Sequence, residues 1–242
     1  MDGWNENCTY NGLMEFAIKS FKYFLAGLCL ALVFSMKVFG AEAPVPVQGP
    51  GPLQVEGAIT HDTTWKGRVL VAGDVLVPEG VTLTIAPGTD VMFMSSESSK
   101  IEPAFLSMQT EIMVRGRLVA VGEKGKEITF GPAPEDINGK RPERGDWGGV
   151  IFDGPESGKS RIADARFTKA DTALTFYGSS PHISGCSIDD CRYGIVSMGG
   201  STPRFDACSI TGNEFGAVSG IGSPSFNKCN ISKNDHDFLG RD

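Results

Sequence analysis

The stretch Pro181-His182-Ile183-Ser184-Gly185-Cys186-Ser187-Ile188-Asp189-Asp190-Cys191-Arg192-Tyr193-Gly194 decides the fold, because it recurs twice. Pro203-Arg204-Phe205-Asp206-Ala207-Cys208-Ser209-Ile210 starts the next copy, and Pro224-Ser225-Phe226-Asn227-Lys228-Cys229-Asn230-Ile231 the last. The three prolines lie 22 and 21 residues apart, as do Cys186, Cys208 and Cys229, and Ile188, Ile210 and Ile231. Ile183, Phe205 and Phe226 hold a fourth position, and Gly194 and Gly216 a fifth. A fainter copy precedes them in Ile162, Ala165, Phe167 and Ala173. A fixed period of this length marks a stacked architecture, in which one repeat alone cannot bury its apolar face. Each repeat is too short for two helices. Its Ile, Val, Phe, Thr and Ser, punctuated by Gly, Pro and Asn, read as short strands and turns. One repeat is one coil of a parallel β-solenoid, and the fold class is all-β.

If coils stack about 4.8 Å apart, equivalent residues form rows along the solenoid. The row Ala165, Cys186, Cys208, Cys229 and the row Phe167, Ile188, Ile210, Ile231 are two residues apart, so both point inward. Ile162, Ile183, Phe205 and Phe226 form a third apolar stripe. The front half follows the same logic less regularly. Val69, Val71, Val75 and Val77, then Leu83 to Ile85, Val91 to Phe93, Ile112 to Val114, Leu118 to Val121, Ile128 to Phe130 and Val150 to Phe152 are strand-like runs separated by turn residues. Two interruptions, 94–109 and 132–146, are expected as loops ejected from the stack.

Residues 24–36 are apolar apart from Ser35, follow Lys19 and Lys22, and precede small residues. That is the layout of a secretory leader, too short to span a bilayer. The expected division is a leader over 1–40 (with Met14 as an alternative start), a Pro-rich linker over 41–55, the β-helix over 56–237 and a tail over 238–242. Cleavage is expected after Gly40 or Ala41, leaving no transmembrane segment in the mature chain. The net charge of −7 excludes nucleic acid and anionic membranes as natural partners.

The run Asp62-Thr63-Thr64-Trp65, with Val75 to Gly80 and Leu83 to Thr89, resembles the opening coils of bacterial secreted right-handed β-helix proteins of the pectin-lyase-like fold. So do Val114 to Ala120, Ile128 to Phe130 and Gly145 to Phe152, and Asn213 and Asn234 fill that family's Asn position. The resemblance covers roughly 55–237 and implies a single-stranded right-handed parallel β-helix of about eight coils. It does not fix an activity, since the fold hosts lyases, hydrolases, epimerases, adhesins and carbohydrate-binding modules.

The residues argue against catalysis. Asp189 and Asp190 are the best acid pair, but Asp190 falls one rung above Lys169 and Asp189 among Thr168, Thr211 and Ser232, so no dyad forms. Asp171, Arg192, Glu214 and Asp235 form a further mixed-sign row. No motif calls for a cofactor, and one cysteine per coil gives a line of sulfurs rather than a metal tetrahedron. Whether those thiols form disulfides is left open. Two rows are candidate ligand sites. Arg161, His182, Arg204 and Ser225 form an outward cationic ladder suited to an extended anion, unless Asp164 and Asp206 neutralise it. Tyr193, Phe215 and His236 would stack on sugar rings if exposed, or cover the core if tucked in. The expected function is therefore that of an exported, non-catalytic protein that binds polysaccharide or builds the cell envelope. The alternatives are an enzyme acting on acidic polysaccharide, or an adhesin or assembly module that self-associates by β-augmentation at its open C-terminal rung.

Overall fold

The computed structural model describes residues 51–95, 108–134 and 141–240. The expected leader and most of the linker lie outside them. Strand β1 (Leu53–Ala58) opens the solenoid, and thereafter the chain visits three faces in turn. Face A stacks β2 (Thr63–Trp65), β4 (Thr82–Ile85), β7 (Arg117–Val121), β10 (Arg161–Ala163), β13 (His182–Ser184), β16 (Arg204–Asp206) and β19 (Ser225–Asn227) in one seven-stranded sheet. Face B stacks the first half of β3 (Arg68–Val77) with β5 (Asp90–Phe93), β8 (Ile128–Pro132), β11 (Ala165–Thr168), β14 (Ser187–Asp189), β17 (Ser209–Thr211) and β20 (Asn230–Ser232). Face C stacks the second half of β3 with β6 (Glu111–Val114), β9 (Gly149–Asp153), β12 (Thr172–Tyr177), β15 (Tyr193–Met198), β18 (Phe215–Ser219) and β21 (His236–Gly240). All these pairings are parallel, and the long β3 bends across the B–C corner to join two faces. Seven rungs on each face, with β1 beneath β3, give the right-handed parallel β-helix its coils.

The ends differ slightly from expectation. β1 begins at Leu53, inside the stretch expected as linker. The tail expected from 238 onward is instead the end of β21, because Phe238 and Leu239 continue the rows of Ala217 and Val218 in register.

The rows fall where the repeat puts them. Ile188 pairs with Phe167 and Ile210, and Ile210 with Ile231. Ile183 pairs with Ile162 and Phe205, and Phe205 with Phe226. Residues Phe167, Ile183, Ile188 and Ile210 are fully buried, each contributing about 2 kcal/mol of apolar transfer. Aromatic residues stack from rung to rung inside the solenoid: Phe130 on Phe167 at 4.5 Å, and Phe205 on Phe226 at 5.2 Å.

Corners are closed by backbone that few residues adopt. Asp164, Gly185, Ala207 and Lys228 turn the A–B corner at φ of 47°, 61°, 53° and 55°. Lys169, Asp190, Gly212 and Lys233 turn the B–C corner at 61°, 57°, 72° and 61°. The left-handed region costs an L-residue about 1 kcal/mol, and one such residue per corner is the toll for the sharp turn. Past the B–C corner, Asn213 bonds three neighbours. Its Oδ1 accepts the Cys191 amide at 2.9 Å, and its Nδ2 donates to the Ile188 carbonyl at 3.1 Å and to Asn234 Oδ1 at 3.0 Å. The C–A corner absorbs the irregular period. Four residues separate β12 from β13, but five separate β15 from β16, where Gly199 and Gly200 both take positive φ.

A candidate ligand-binding cleft

Both long connections fall at the same corner in successive coils. One runs from β5 to β6 and the other from β8 to β9, each crossing from face B to face C. Residues 96–107 and 135–140 of them lie outside the described residues. The second segment returns along the corner and is anchored there. Arg144 donates to the Gly212 carbonyl at 2.9 Å and lies 3.5 Å from Asp190, which Lys169 meets at 2.6 Å. Trp147 then plunges into the core, stacked on Phe93 at 4.0 Å, and its indole N–H donates to the Thr168 carbonyl at 2.8 Å. Its own carbonyl accepts the Asp171 amide at 2.7 Å, so the anchor fixes the residue that leads into β12.

Beside this anchor, face C carries an outward row that starts apolar. Leu76, Met113, Ile151, Thr175, Val196, Val218 and Leu239 stand in register on consecutive strands. Leu76, Met113 and Ile151 form an apolar cluster apart from the solenoid core, and Thr175 is also buried. Val196 and Val218 are half-buried, and Leu239 is 54% exposed. The outer surface of face C is thus covered over its early coils and open over its late ones. At the boundary lies a cavity of about 130 Å³ lined by Glu111, Ile151, Asp171, Thr175, Val196 and Met198, among others. Asp171 pairs with Arg192 at 2.9 Å, yet burial holds its carboxyl above the usual range against that cation, and Glu214 adds to the rise. Next to Met198 on the adjoining strand stands Tyr177, 54% exposed, with the place of a Gly199 side chain filled by its ring.

The residues singled out from sequence lie elsewhere. Arg161, His182, Arg204 and Ser225 do form an exposed row on face A. His182 Nε2 lies 2.6 Å from Asp206, whose other oxygen accepts from Asn227 at 2.8 Å. The Asn227 and His182 hydrogen bonds, with the charge of Arg204, hold the Asp206 carboxyl below its ordinary range. Asp206 is thus the counter-charge at the centre of the ladder, whereas Asp164 serves as the left-handed residue of its corner. Tyr193 and Phe215 stack at 4.9 Å and Phe215 and His236 at 4.9 Å, nearly parallel at 12° and 19°. Both faces of the Phe215 ring are therefore covered by its neighbours. The outer face of His236, an exposed residue on the last described rung, carries no stacked ring among the described residues.

The acid pair behaves as charge pairing. Asp189 accepts two bonds from Arg166 at 3.0 and 2.8 Å, and Asp190 is held by Lys169 and Arg144. Among the described residues no group of three or more His, Cys, Asp or Glu is placed to hold a metal ion, and no helix is long and apolar enough to cross a membrane. Thr175 and Met198 in the cleft, and Tyr177 beside it, were missed although they stand in the regular repeat, because rows that read Thr175, Val196, Val218 and Tyr177, Met198 keep no constant residue type. Their one available signal was the alternation Thr175-Phe176-Tyr177, which places two outward side chains around a buried ring.

Comparison with curated proteins and with solved structures returned no match. A family model described as "Right handed beta helix region" matches residues 142–239, from the return of the second ejected segment through β21. That match and the parallel winding on three faces together fit a right-handed parallel β-helix repeat protein.

Proposed function

We propose that this is an exported, carbohydrate-binding β-helix that holds one stretch of a neutral polysaccharide along face C. The observation that carries the reading is the lining of the cleft. Ile151, Val196 and Met198 offer apolar ground for the C–H face of a sugar, Thr175 and Asp171 offer hydroxyl partners, and Tyr177 presents an exposed ring beside them. A cavity of about 130 Å³ is small for a compact metabolite, whose pockets run to about 300 Å³ or more, but it fits one unit of a longer chain lying on the sheet. Carboxylates at Asp171 and Glu111 disfavour an anionic chain there. The leader expected over 1–40 supports export. N-terminal mass analysis of protein made in an export-competent bacterium should then find Ala41 or Glu42 first.

The test is a binding screen across neutral and acidic polysaccharides, followed by Tyr177→Ala and Asp171→Ala. Each should weaken binding of a neutral glycan at least tenfold, about 1.4 kcal/mol, with circular dichroism unchanged. Binding confined to acidic glycans, and lost in the double variant Arg161→Ala and Arg204→Ala, would instead assign the ligand to face A. Cleavage of any screened polysaccharide, abolished by Asp171→Ala, would replace the reading with an enzyme.

A second reading rests on the last rung. All five residues of β21 are exposed, with Phe238 at 55%, and its outer edge is unpaired among the described strands. If it pairs with a second copy, light scattering will give a concentration-dependent mass, and Phe238→Lys will abolish it.

A further inference from the structure

The inward row Cys186, Cys208, Cys229 places three free thiols on three successive rungs. Each cysteine directly precedes a strand whose first residues are in register, Ser187 with Ser209 and Ser209 with Asn230. Neighbouring cysteines are therefore one rung apart, within the Cα separation that a disulfide spans. The contact is close: the Cys208 amide donates to Cys229 Sγ at 3.4 Å. The three differ in access. Cys186 and Cys208 are each 2% exposed, whereas Cys229, on the last coil, is only half-buried.

We propose that Cys229 and Cys208 form a thiol pair that closes into a disulfide by exchange with a small-molecule disulfide such as oxidised glutathione. The Cys229 thiolate attacks one sulfur of the glutathione disulfide, forms a mixed disulfide and releases one glutathione thiolate. Cys208 then attacks Cys229 Sγ, and the second glutathione leaves as the thiolate. Two thiol protons are lost, the protein pair is oxidised by two electrons, and one glutathione disulfide becomes two thiols. The roles follow from position: among the described cysteines only Cys229 is open to a reagent, and only Cys208 stands next to it. Hydrogen bonding from Cys186 holds the Cys208 thiol down to about 7, so the resolving nucleophile is available near neutrality. That same bond, with burial, pushes the Cys186 thiol well up, so it remains protonated and does not carry the bridge deeper. Cys191 stands outside the row, its thiol donating to the Asp189 carbonyl at 3.4 Å, and burial pushes it up to about 12. The bridge would tie the last coil, with its exposed β21, to the coil beneath.

Tryptic peptides separate the partners, because cleavage after Lys228 leaves Cys208 in 205–228 and Cys229 in 229–233, while Cys186 and Cys191 share 170–192. Reduced full-length protein exposed to glutathione disulfide should yield the linked pair 205–228 with 229–233, lighter by two hydrogens. Cys208→Ser should stop at a lasting glutathione adduct on 229–233, and Cys186→Ser should still form the link. The proposal is overturned if wild type keeps the adduct on 229–233 without closing. It is equally overturned if folded wild type leaves both peptides unmodified while urea-unfolded protein reacts, or if the link joins 205–228 to 170–192.

Discussion

Replacing Asn213 by Ala probes what closes the B–C corner. Asn213 is 1% exposed, and its side chain serves the Cys191 amide and the Ile188 carbonyl in the coil on one side and Asn234 in the coil on the other. Alanine leaves the Cys191 N–H and the Ile188 C=O without their partner in a site closed to water. A buried group so stranded costs about 1–3 kcal/mol, so two of them come to about 2–5 kcal/mol once small relaxations are allowed. That is a large share of the roughly 5–15 kcal/mol that holds a domain together. Asn234 makes analogous bonds to the Asn213 amide and the Ile210 carbonyl, but it is half-buried, and water can replace its side chain. Its alanine variant should lose only about 1 kcal/mol. Urea unfolding followed by circular dichroism measures both, and hydrogen exchange at the Cys191 amide should accelerate in the first variant alone. Equal losses for the two variants, or a loss below about 1 kcal/mol at Asn213, would refute the argument that burial makes this ladder costly to break.

Ala207 holds φ of 53° at the A–B corner with no side-chain compensation, so Ala207→Gly should stabilise the domain by roughly 0.5–1 kcal/mol in the same assay. Ile210→Asp places an unpaired charge at 0% exposure and should leave the protein aggregated or unfolded in size-exclusion chromatography. Asp189→Ala, by contrast, breaks only a partly exposed pair with Arg166 and should cost less than about 1 kcal/mol. Cys191 is raised from 9.0 to about 12. The unfolded chain therefore releases this proton first, and stability should fall as pH rises from about 9 toward 12, by about 1.4 kcal/mol per unit at most. Cys191→Ala should flatten that slope in alkaline urea titrations.

Much of the scaffold was legible because an inward position in a stacked coil admits few residue types. Ile188, Ile210 and Ile231 recur at fixed spacing since each must pack on the one before. Lys169 under Asp190 was legible for the same reason, because a turn repeated one rung up brings matching offsets together. The aromatic row resisted because a residue just past a corner obeys no alternation. Only the stacking of Tyr193, Phe215 and His236 reveals that both faces of the Phe215 ring are spent on its neighbours. The cleft resisted most. Glu111, Ile151, Asp171 and Val196 converge from four coils, and the long connection between β8 and β9 breaks the period between Glu111 and Ile151. The strand nature of 238–240 was within reach, since Phe238 stands 21 residues after Ala217.

The extra residue at the C–A corner between β15 and β16 shows in what increments this molecule can change length. Adding one residue inside a face would reverse inside and outside for the rest of that strand. At this corner the chain has already taken one in, on two glycines, without moving a single row out of register. Lineages and protein engineers alike therefore have two permitted edits here: single residues at a glycine-bearing corner, or a whole coil of 21 or 22 residues. Duplicating residues 182–203 should lengthen the rod by one rung, about 4.8 Å, while leaving the face C cleft as it stands.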